Sequence, residues 1–276
     1  MHSQAEKGRL FAELHQRQKI LILPNAWDAG TAKLLQSLGF EALATTSLGL
    51  SNTLGRVDGD GSVSRAELLE NCRLIAEATD LPVNADLENG YADDPKEAAT
   101  ILRDAAAAGI VGGSIEDWSG ARIYDFNHAV ERVVAAVEVV RGLSVPFTFV
   151  ARADNLIRGQ TSLDDTIRRL QAFEKAGADV LYAPGLRELE TIRTVVSALR
   201  KPLNVVMSSA DPSLTADDLE AVGVKRLSVG GALSRLALGA FMKGAREMKE
   251  KGSFTWVRDA TPARDLEPVF KPKFRG

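Results

Sequence analysis

A single cysteine, Cys72, in a chain of 276 residues leaves neither a disulfide framework nor a thiolate metal cluster. Cys72 falls in a stretch of helical periodicity, and a reducing, cytoplasmic setting is expected. Histidine is almost as scarce. His2, His15 and His128 lie at the terminus or on helical patterns, which takes imidazole out of the expected catalytic machinery. No run of Lys or Arg occurs, and 34 basic against 37 acidic residues give a net charge of -3. That balance argues against a nucleic-acid surface or a polybasic membrane patch. No segment has the length of an apolar membrane span, and Met1 to Lys19 is polar, without the apolar core of an export signal. Lysine is missing from every expected strand end, which disfavours a Schiff-base aldolase. No Pro/Ser-rich linker divides the chain, so one domain is the economical expectation.

What is present is an alternation of short β-type runs and longer helical patterns. The runs are Ile20 to Pro24, Ala42 to Thr46, Pro82 to Ala85, Val111 to Ile115, Phe147 to Ala151, Val180 to Ala183, Leu203 to Val206 and Arg226 to Val229. Helical stretches follow them at Ala29 to Leu38, Arg65 to Ala78, Pro95 to Ala108, His128 to Arg141, Leu163 to Ala176, Leu186 to Leu199, Ala216 to Val222 and Leu233 to Glu250, and another, Gln4 to Gln18, precedes them. Ser64 and Asp94 stand as N-caps, and Gly39, Gly109, Gly177 and Gly223 stand near C-termini. Eight such units predict an α/β fold, a (β/α)8 TIM barrel over residues 1–253 with an extra N-terminal helix. A doubly wound open sheet is the alternative. Residues 254–276 break the pattern: Pro262, Pro268 and Pro272 accompany Phe254, Trp256, Phe270 and Phe274. This tail is expected to be either disordered or an arm on a neighbouring subunit.

In such a barrel, chemistry belongs at the C-terminal ends of the strands. There the sequence places Thr46-Ser47-Leu48-Gly49 and Asp58, then Asp86 and Glu88, Glu116 and Asp117, and Arg152 and Asp154. Asp86 and Glu88 lie two apart at the end of a strand, where they would face one side, and Gly90 lets the backbone turn away. Oxygen donors without His or Cys favour Mg2+, or Mn2+, over Zn2+. Each acid taken singly is equally a helix cap or an ion-pair partner. Gly230-Gly231 after the last strand reads either as a phosphate cradle or as a close helix contact.

The motifs Leu23-Pro24-Asn25-Ala26-Trp27-Asp28-Ala29, Thr45-Thr46-Ser47, Val57-Asp58-Gly59, Asn84 to Tyr91, Ser114-Ile115-Glu116-Asp117 and Ala151-Arg152-Ala153-Asp154 resemble the isocitrate lyase/phosphoenolpyruvate mutase superfamily. The resemblance covers residues 8 to 250. It implies a (β/α)8 barrel with its last helix swapped between subunits, in dimers or tetramers, and Mg2+-enolate chemistry on a 2-oxo acid. By position, Asp86 would ligate the metal directly, with Asp58, Glu88 and Glu116 holding it directly or through water. Ser47, Leu48 and Gly49 would supply the loop binding substrate carboxylate and oxyanion, and Arg152 would clamp the carboxylate.

The departures narrow the reaction. The Lys-Lys-Cys-Gly-His signature of the isocitrate-cleaving members is replaced by Asp117-Trp118-Ser119-Gly120-Ala121-Arg122-Ile123-Tyr124-Asp125-Phe126, and Trp118 stands where the mutase has Lys. Ser119, Tyr124 and Asp117 are the loop residues able to move a proton, and Asp58 and Arg152 complete the candidate catalytic set. Three readings follow. The first is a Mg2+-dependent lyase, either a C–C cleaving enzyme or a decarboxylase, acting on a small 2-oxo or 2-hydroxy dicarboxylic acid. The second is a P–C bond enzyme acting on a phosphonate, for which Arg122 is the loop's one cation. The third is a non-catalytic 2-oxo acid binder.

Overall fold

The computed structural model describes residues 2–271. Helix α1 (Gln4–Leu14) comes first, followed by β1 (Leu21–Leu23), α2 (Ala29–Ser37), β2 (Leu43–Ala44), α3 (Ser47–Thr53), α4 (Arg65–Ala78), β3 (Val83–Asp86) and α5 (Pro95–Ala107). The chain continues through β4 (Gly112–Glu116), α6 (Phe126–Arg141), β5 (Thr148–Arg152), α7 (Leu163–Ala176), β6 (Val180–Tyr182) and α8 (Leu189–Ser197). Then come β7 (Leu203–Val206), α9 (Ala216–Ala221), β8 (Arg226–Ser228), α10 (Ala232–Lys251), a 3-10 turn (Thr255–Asp259) and α11 (Ala263–Phe270).

All eight strands pair in parallel, and β1 joins β8. The remaining seam, between β1 and β2, is stitched just past the end of β1. Ala44 N donates to Pro24 O at 2.9 Å and Ala26 N to Ala44 O at 2.8 Å. The sheet is therefore a nearly closed (β/α)8 barrel, and the doubly wound alternative falls. No helix among the described residues is long and apolar enough to cross a membrane.

Local chemistry explains the element boundaries. Ser64 forms a capping box with Glu67, and Asp94 caps α5 ahead of Pro95. Gly39, Gly109, Gly177 and Gly223 each take positive φ where a helix must stop and reverse into the next strand. Strand residues Leu21, Leu43 and Phe149 and helix residues Ile75, Ile101 and Phe173 are out of water. Each large side chain buried in this way contributes about 1.5–3 kcal/mol. Helix α1 covers the start of the strands: Phe11 and Leu14 pack with Leu21, Ala42 and Val111, and Phe11 lies where a Cβ on Gly112 would be, 2.7 Å from it.

Three expectations are corrected. The Ser47-Leu48-Gly49 segment is not a loop but the first turn of α3, because Thr46 caps a helix there. The first helix ends at Leu14 rather than Gln18, and α8 begins at Leu189 rather than Leu186. Of the two alternatives for the tail, disorder falls, since Thr255–Asp259 is a 3-10 turn and Ala263–Phe270 is α-helical. Trp256 lies against Gly244 of α10, and the Phe270 ring approaches Gly30 of α2 in the same chain. Phe274 lies outside the described residues.

Candidate active site

The acidic turn begins where β3 ends. Asp86 N donates to Thr45 Oγ1 at 2.9 Å, and Asp86 Oδ2 accepts from Ser47 Oγ at 3.1 Å and Ser47 N at 3.3 Å. The strand stops at Asp86, so strand alternation does not position Glu88. Glu88 has φ +50°, Gly90 +79° and Tyr91 +62°. Left-handed backbone at a non-glycine residue costs about 1 kcal/mol or more, and such residues cluster at functional sites. Several bonds hold the conformation. Glu116 N donates to Glu88 O at 2.9 Å, and Tyr91 Oη donates to Glu88 Oε1 at 2.8 Å. The buried Arg132 donates to the carbonyls of Asn89, Ala92 and Asp93. A Cβ on Gly90 would lie 2.8 Å from Ala98 O, so only glycine fits there.

Arg152 ends β5 and is the hub of the site. Its Nε and Nη2 both donate to Asp154, while Nη1 lies 3.1 Å from Glu116 Oε2 and 3.8 Å from Asp86 Oδ1. Arg158 stands beside it, 3.8 Å from Glu116 Oε1 and 3.6 Å from Asp154 Oδ2, with its guanidinium 4.4 Å from the centre of the Trp118 ring. Asp117 accepts from Asp154 N at 2.7 Å and from Arg169 at 3.0 Å, which ties the loop after β4 to β5 and α7.

Carboxylates outnumber these cations, and burial first, then neighbouring carboxylates, raise their proton affinities. Burial and then Asp86 raise Asp58 above its ordinary value. Glu88 is pushed up to about 7 by burial, assisted by Asp86 and Asp58. Burial carries Glu116 well above the carboxylate range despite Arg152, and carries Asp117 up to about 6. A donor set of carboxylate oxygens with surplus negative charge fits a hard divalent cation. Among the described residues no three such side chains converge at ligand spacing as they stand. Arg152 supplies the counter-charge between Asp86 and Glu116.

Two hollows meet these groups. One of about 170 Å3 is lined by Ser47, Leu48, Asp58, Asp86, Arg152 and Tyr182 and reaches down the barrel to Asn84 and Arg226. The other, about 340 Å3, is lined by Gly59, Glu88, Tyr91, Glu116, Trp118 and Ser119. A larger hollow of about 540 Å3 between α2, α4 and α11 shares none of these residues.

The candidates thus divide. Asp58, Asp86, Arg152, Ser47 and Leu48 face the first hollow, and Glu88, Glu116 and Ser119 the second. Gly49 lines neither, since a Cβ there would meet Trp27 Cβ at 2.6 Å, and its place is a packing contact. Tyr124 lines neither directly: it is 4% exposed, its phenol donates to Asp93, which lines the second hollow, and its ring carries Arg132 at 4.4 Å. Burial pushes that phenol up to about 12. The Ser119 hydroxyl accepts from Arg122 N at 2.9 Å, closing a tight turn around Gly120.

Gly231 would place a Cβ 2.4 Å from Leu48 Cδ2, and Val229 N is already bound by Asn25 Oδ1 at 3.0 Å. Close packing is therefore one thing this glycine serves, while Gly230 and Gly231 also line the first hollow. Sequence reasoning missed Tyr182, Arg158 and Arg132. Tyr182 ends a strand and was open to the same strand-end argument that found Arg152. Nothing local marked the other two.

The phosphoenolpyruvate phosphomutase family model matches residues 11–249. An uncharacterised protein of Mycobacterium tuberculosis is 32% identical over 244 residues, covering 87% of this chain and 89% of that one. The 2,3-dimethylmalate lyase of Eubacterium barkeri is 29% identical over 224 residues, covering 76% and 75%. A crystal structure from Burkholderia cenocepacia J2315, described only as a lyase/mutase, superposes with a TM-score of 0.94 at 48% identity, covering 98% and 97%.

Proposed function

The chain belongs to the phosphoenolpyruvate phosphomutase family of the isocitrate lyase/phosphoenolpyruvate mutase superfamily, and from that premise we propose that it is a Mg2+-dependent lyase cleaving a small 2-oxo or 2-hydroxy dicarboxylic acid, by C–C scission or decarboxylation. The observation that carries this reading is the meeting of Asp86 and Glu116, at neighbouring strand ends, on Arg152, with Asp58 from the segment after α3 and Glu88 from the turn after β3 near enough to feel the same guanidinium. A relative named 2,3-dimethylmalate lyase agrees with it. Mn2+ is the alternative ion.

Asp86 is the residue we assign to hold the ion, with Asp58, Glu88 and Glu116 around it. A divalent ion held there would offset negative charge developing on the 2-oxo oxygen as the adjacent bond breaks. The chain's own groups do the rest. Ser47, fixed by its bond to Asp86, presents a hydroxyl at the first turn of α3 to the same hollow. Arg152 binds the substrate carboxylate by exchanging part of its internal ion pairing for the ligand's. Trp118 and Ser119 line the second hollow, beside Glu88 and Glu116, where their closing down would limit water around the carbanionic product. Proton delivery to that product falls to Asp58 or Ser119, which line the hollows, whereas Tyr124 stands behind Asp93.

Arg158 favours keeping a second reading, a P–C bond enzyme. It brings a cation onto Trp118 that loop composition did not supply, while Arg122 is exposed. Leu236 and Phe241 on α10 are 70% and 72% exposed, which supports a second copy of the chain as partner.

Mass analysis of products from a panel of 2-oxo acids, substituted malates and phosphonates, with and without Mg2+, tests the reading. Mg2+-dependent cleavage of a dicarboxylate is expected. Phosphonate turnover alone would select the second reading, and tight binding without turnover would leave a non-catalytic binder.

A further inference from the structure

Arg226 opens β8 with its side chain directed into the barrel, and it is 3% exposed. Its one side-chain hydrogen bond among the described residues is to Asn84 Oδ1 at 3.4 Å, its Nε has no partner among them, and no carboxylate among them pairs with it. Arg169 and the largely buried Arg152 pair with carboxylates, and Arg132, whose Nε also lacks a partner among the described residues, donates to three carbonyls. Burial pulls Arg226 down only to about 10, so it keeps its charge at neutral pH. An unpaired charge out of water is far costlier than one that is paired and hydrogen-bonded.

The groups packed on Arg226 supply donors but no carboxylate, and the acids that line the same hollow, Asp58 and Asp86, come from the segment after α3 and from the end of β3. From below, the Phe11 ring lies 6.0 Å from the guanidinium, and His15, pushed down to about 3 by burial and by Arg226, is neutral. Strand register places Tyr182, Asn204 and Arg226 side by side on β6, β7 and β8. Ser228 Oγ accepts from Asn204 Nδ2 at 3.0 Å, which leaves its own proton to donate. Tyr182, pushed up to about 12 by burial, remains a phenol. Arg226, Ser228 and Tyr182 all line the hollow of about 170 Å3. At roughly 30 Å3 per water, that hollow has room for an ion and several waters.

We propose that the floor of this hollow is a binding site for a small monovalent anion, of halide or formate size, held by Arg226 with the hydroxyls of Ser228 and Tyr182. The site neutralises the barrel interior and is independent of which reaction the strand ends carry out. Bromide is the probe. The full chain is melted in sodium bromide and in sodium gluconate at matched ionic strength, gluconate being too large for the floor. A saturable rise specific to bromide is expected, about 2–4 °C at roughly tenfold excess over the dissociation constant. Arg226→Lys should keep part of that response and Arg226→Met should lose it. Anomalous scattering from a bromide-soaked crystal should place bromine beside Arg226. Equal responses to the two salts would overturn the proposal, as would an unchanged bromide response in Arg226→Met. If Arg226→Met does not fold, the wild-type crystal decides, and no bromine at Arg226 overturns it.

Discussion

Arg152 Nη1 lies 3.1 Å from Glu116 Oε2, with the arginine side chain 14% and the glutamate side chain 9% exposed. The pair joins the ends of β5 and β4, and the same guanidinium grips Asp154 through its other two nitrogens. A planar fork with fixed donor directions can serve several carboxylates at once and can exchange one of them for a ligand, which a point charge cannot do.

Arg152→Lys is therefore expected to raise KM at least about tenfold, a loss of roughly 1.4 kcal/mol, despite keeping the charge. Steady-state kinetics and a thermal melt should be run together. A lowered melting temperature with unchanged KM would reduce Arg152 to an internal ion-pair residue.

Gly90→Ala should be destabilising by about 1–3 kcal/mol, because it meets both positive φ and the Ala98 carbonyl at 2.8 Å. Strain relieved here would reposition Glu88, so divalent-ion affinity should fall along with stability. Denaturant unfolding and metal titration check the two effects. Wild-type values in both would mean the turn does not set the position of Glu88.

Stability should also depend on pH through Glu88. Its folded value, about 7, lies above the ordinary value of 4.5, so between them the folded chain keeps a proton that the unfolded chain has lost. The contribution is complete below pH 4.5 and lost as pH rises through 7. Metal-free protein should accordingly lose stability across this window, and Glu88→Gln should flatten the slope. Divalent ion, which binds the ionised carboxylate, should oppose the loss. An identical slope in Glu88→Gln would contradict the raised value.

The turn at 117–126 is held by the Trp118–Ile123 bridge and by Ser119, with Arg158 stacked on Trp118. Protease cleavage within it should slow when Mg2+ and an unreactive 2-oxo acid are both present, and Trp118→Phe should abolish a ligand-dependent fluorescence change. Cleavage at the same rate with and without ligand would remove any role for this turn in covering the site.

The barrel was legible because its signals are local: apolar runs, capping residues such as Ser64 and Asp94, and stop glycines such as Gly177. The strand-end rule placed Asp86, Glu116 and Arg152 near one another. It failed at Glu88, where the reasoning assumed strand alternation but the backbone turns left-handed, held by Arg132 from 44 residues downstream. Tyr124 was chosen by membership of the loop, while its side chain is set by Asp93 and Arg132, which the loop sequence does not show. Thr46 was readable as a helix cap, yet the Ser47-Leu48-Gly49 run is too short to carry helical periodicity, so α3 was missed. The tail's helix α11 depends on a surface offered by α2, a contact between segments more than 200 residues apart.

Asp86 is where the metal assignment and the proposed reaction meet, and loss of its carboxylate should cost little stability because it lies at a partly exposed strand end. The decisive measurement is product formation from the best dicarboxylate of the panel by wild type and Asp86→Ala, each after chelation and after return of Mg2+. Wild type should cleave only with Mg2+, and the variant, with an unchanged melting temperature, should fall by about 1000-fold or more, as expected when a direct ligand to a catalytic ion is lost. Undiminished turnover in Asp86→Ala, or in chelated wild type, would contradict a metal-dependent lyase at these strand ends.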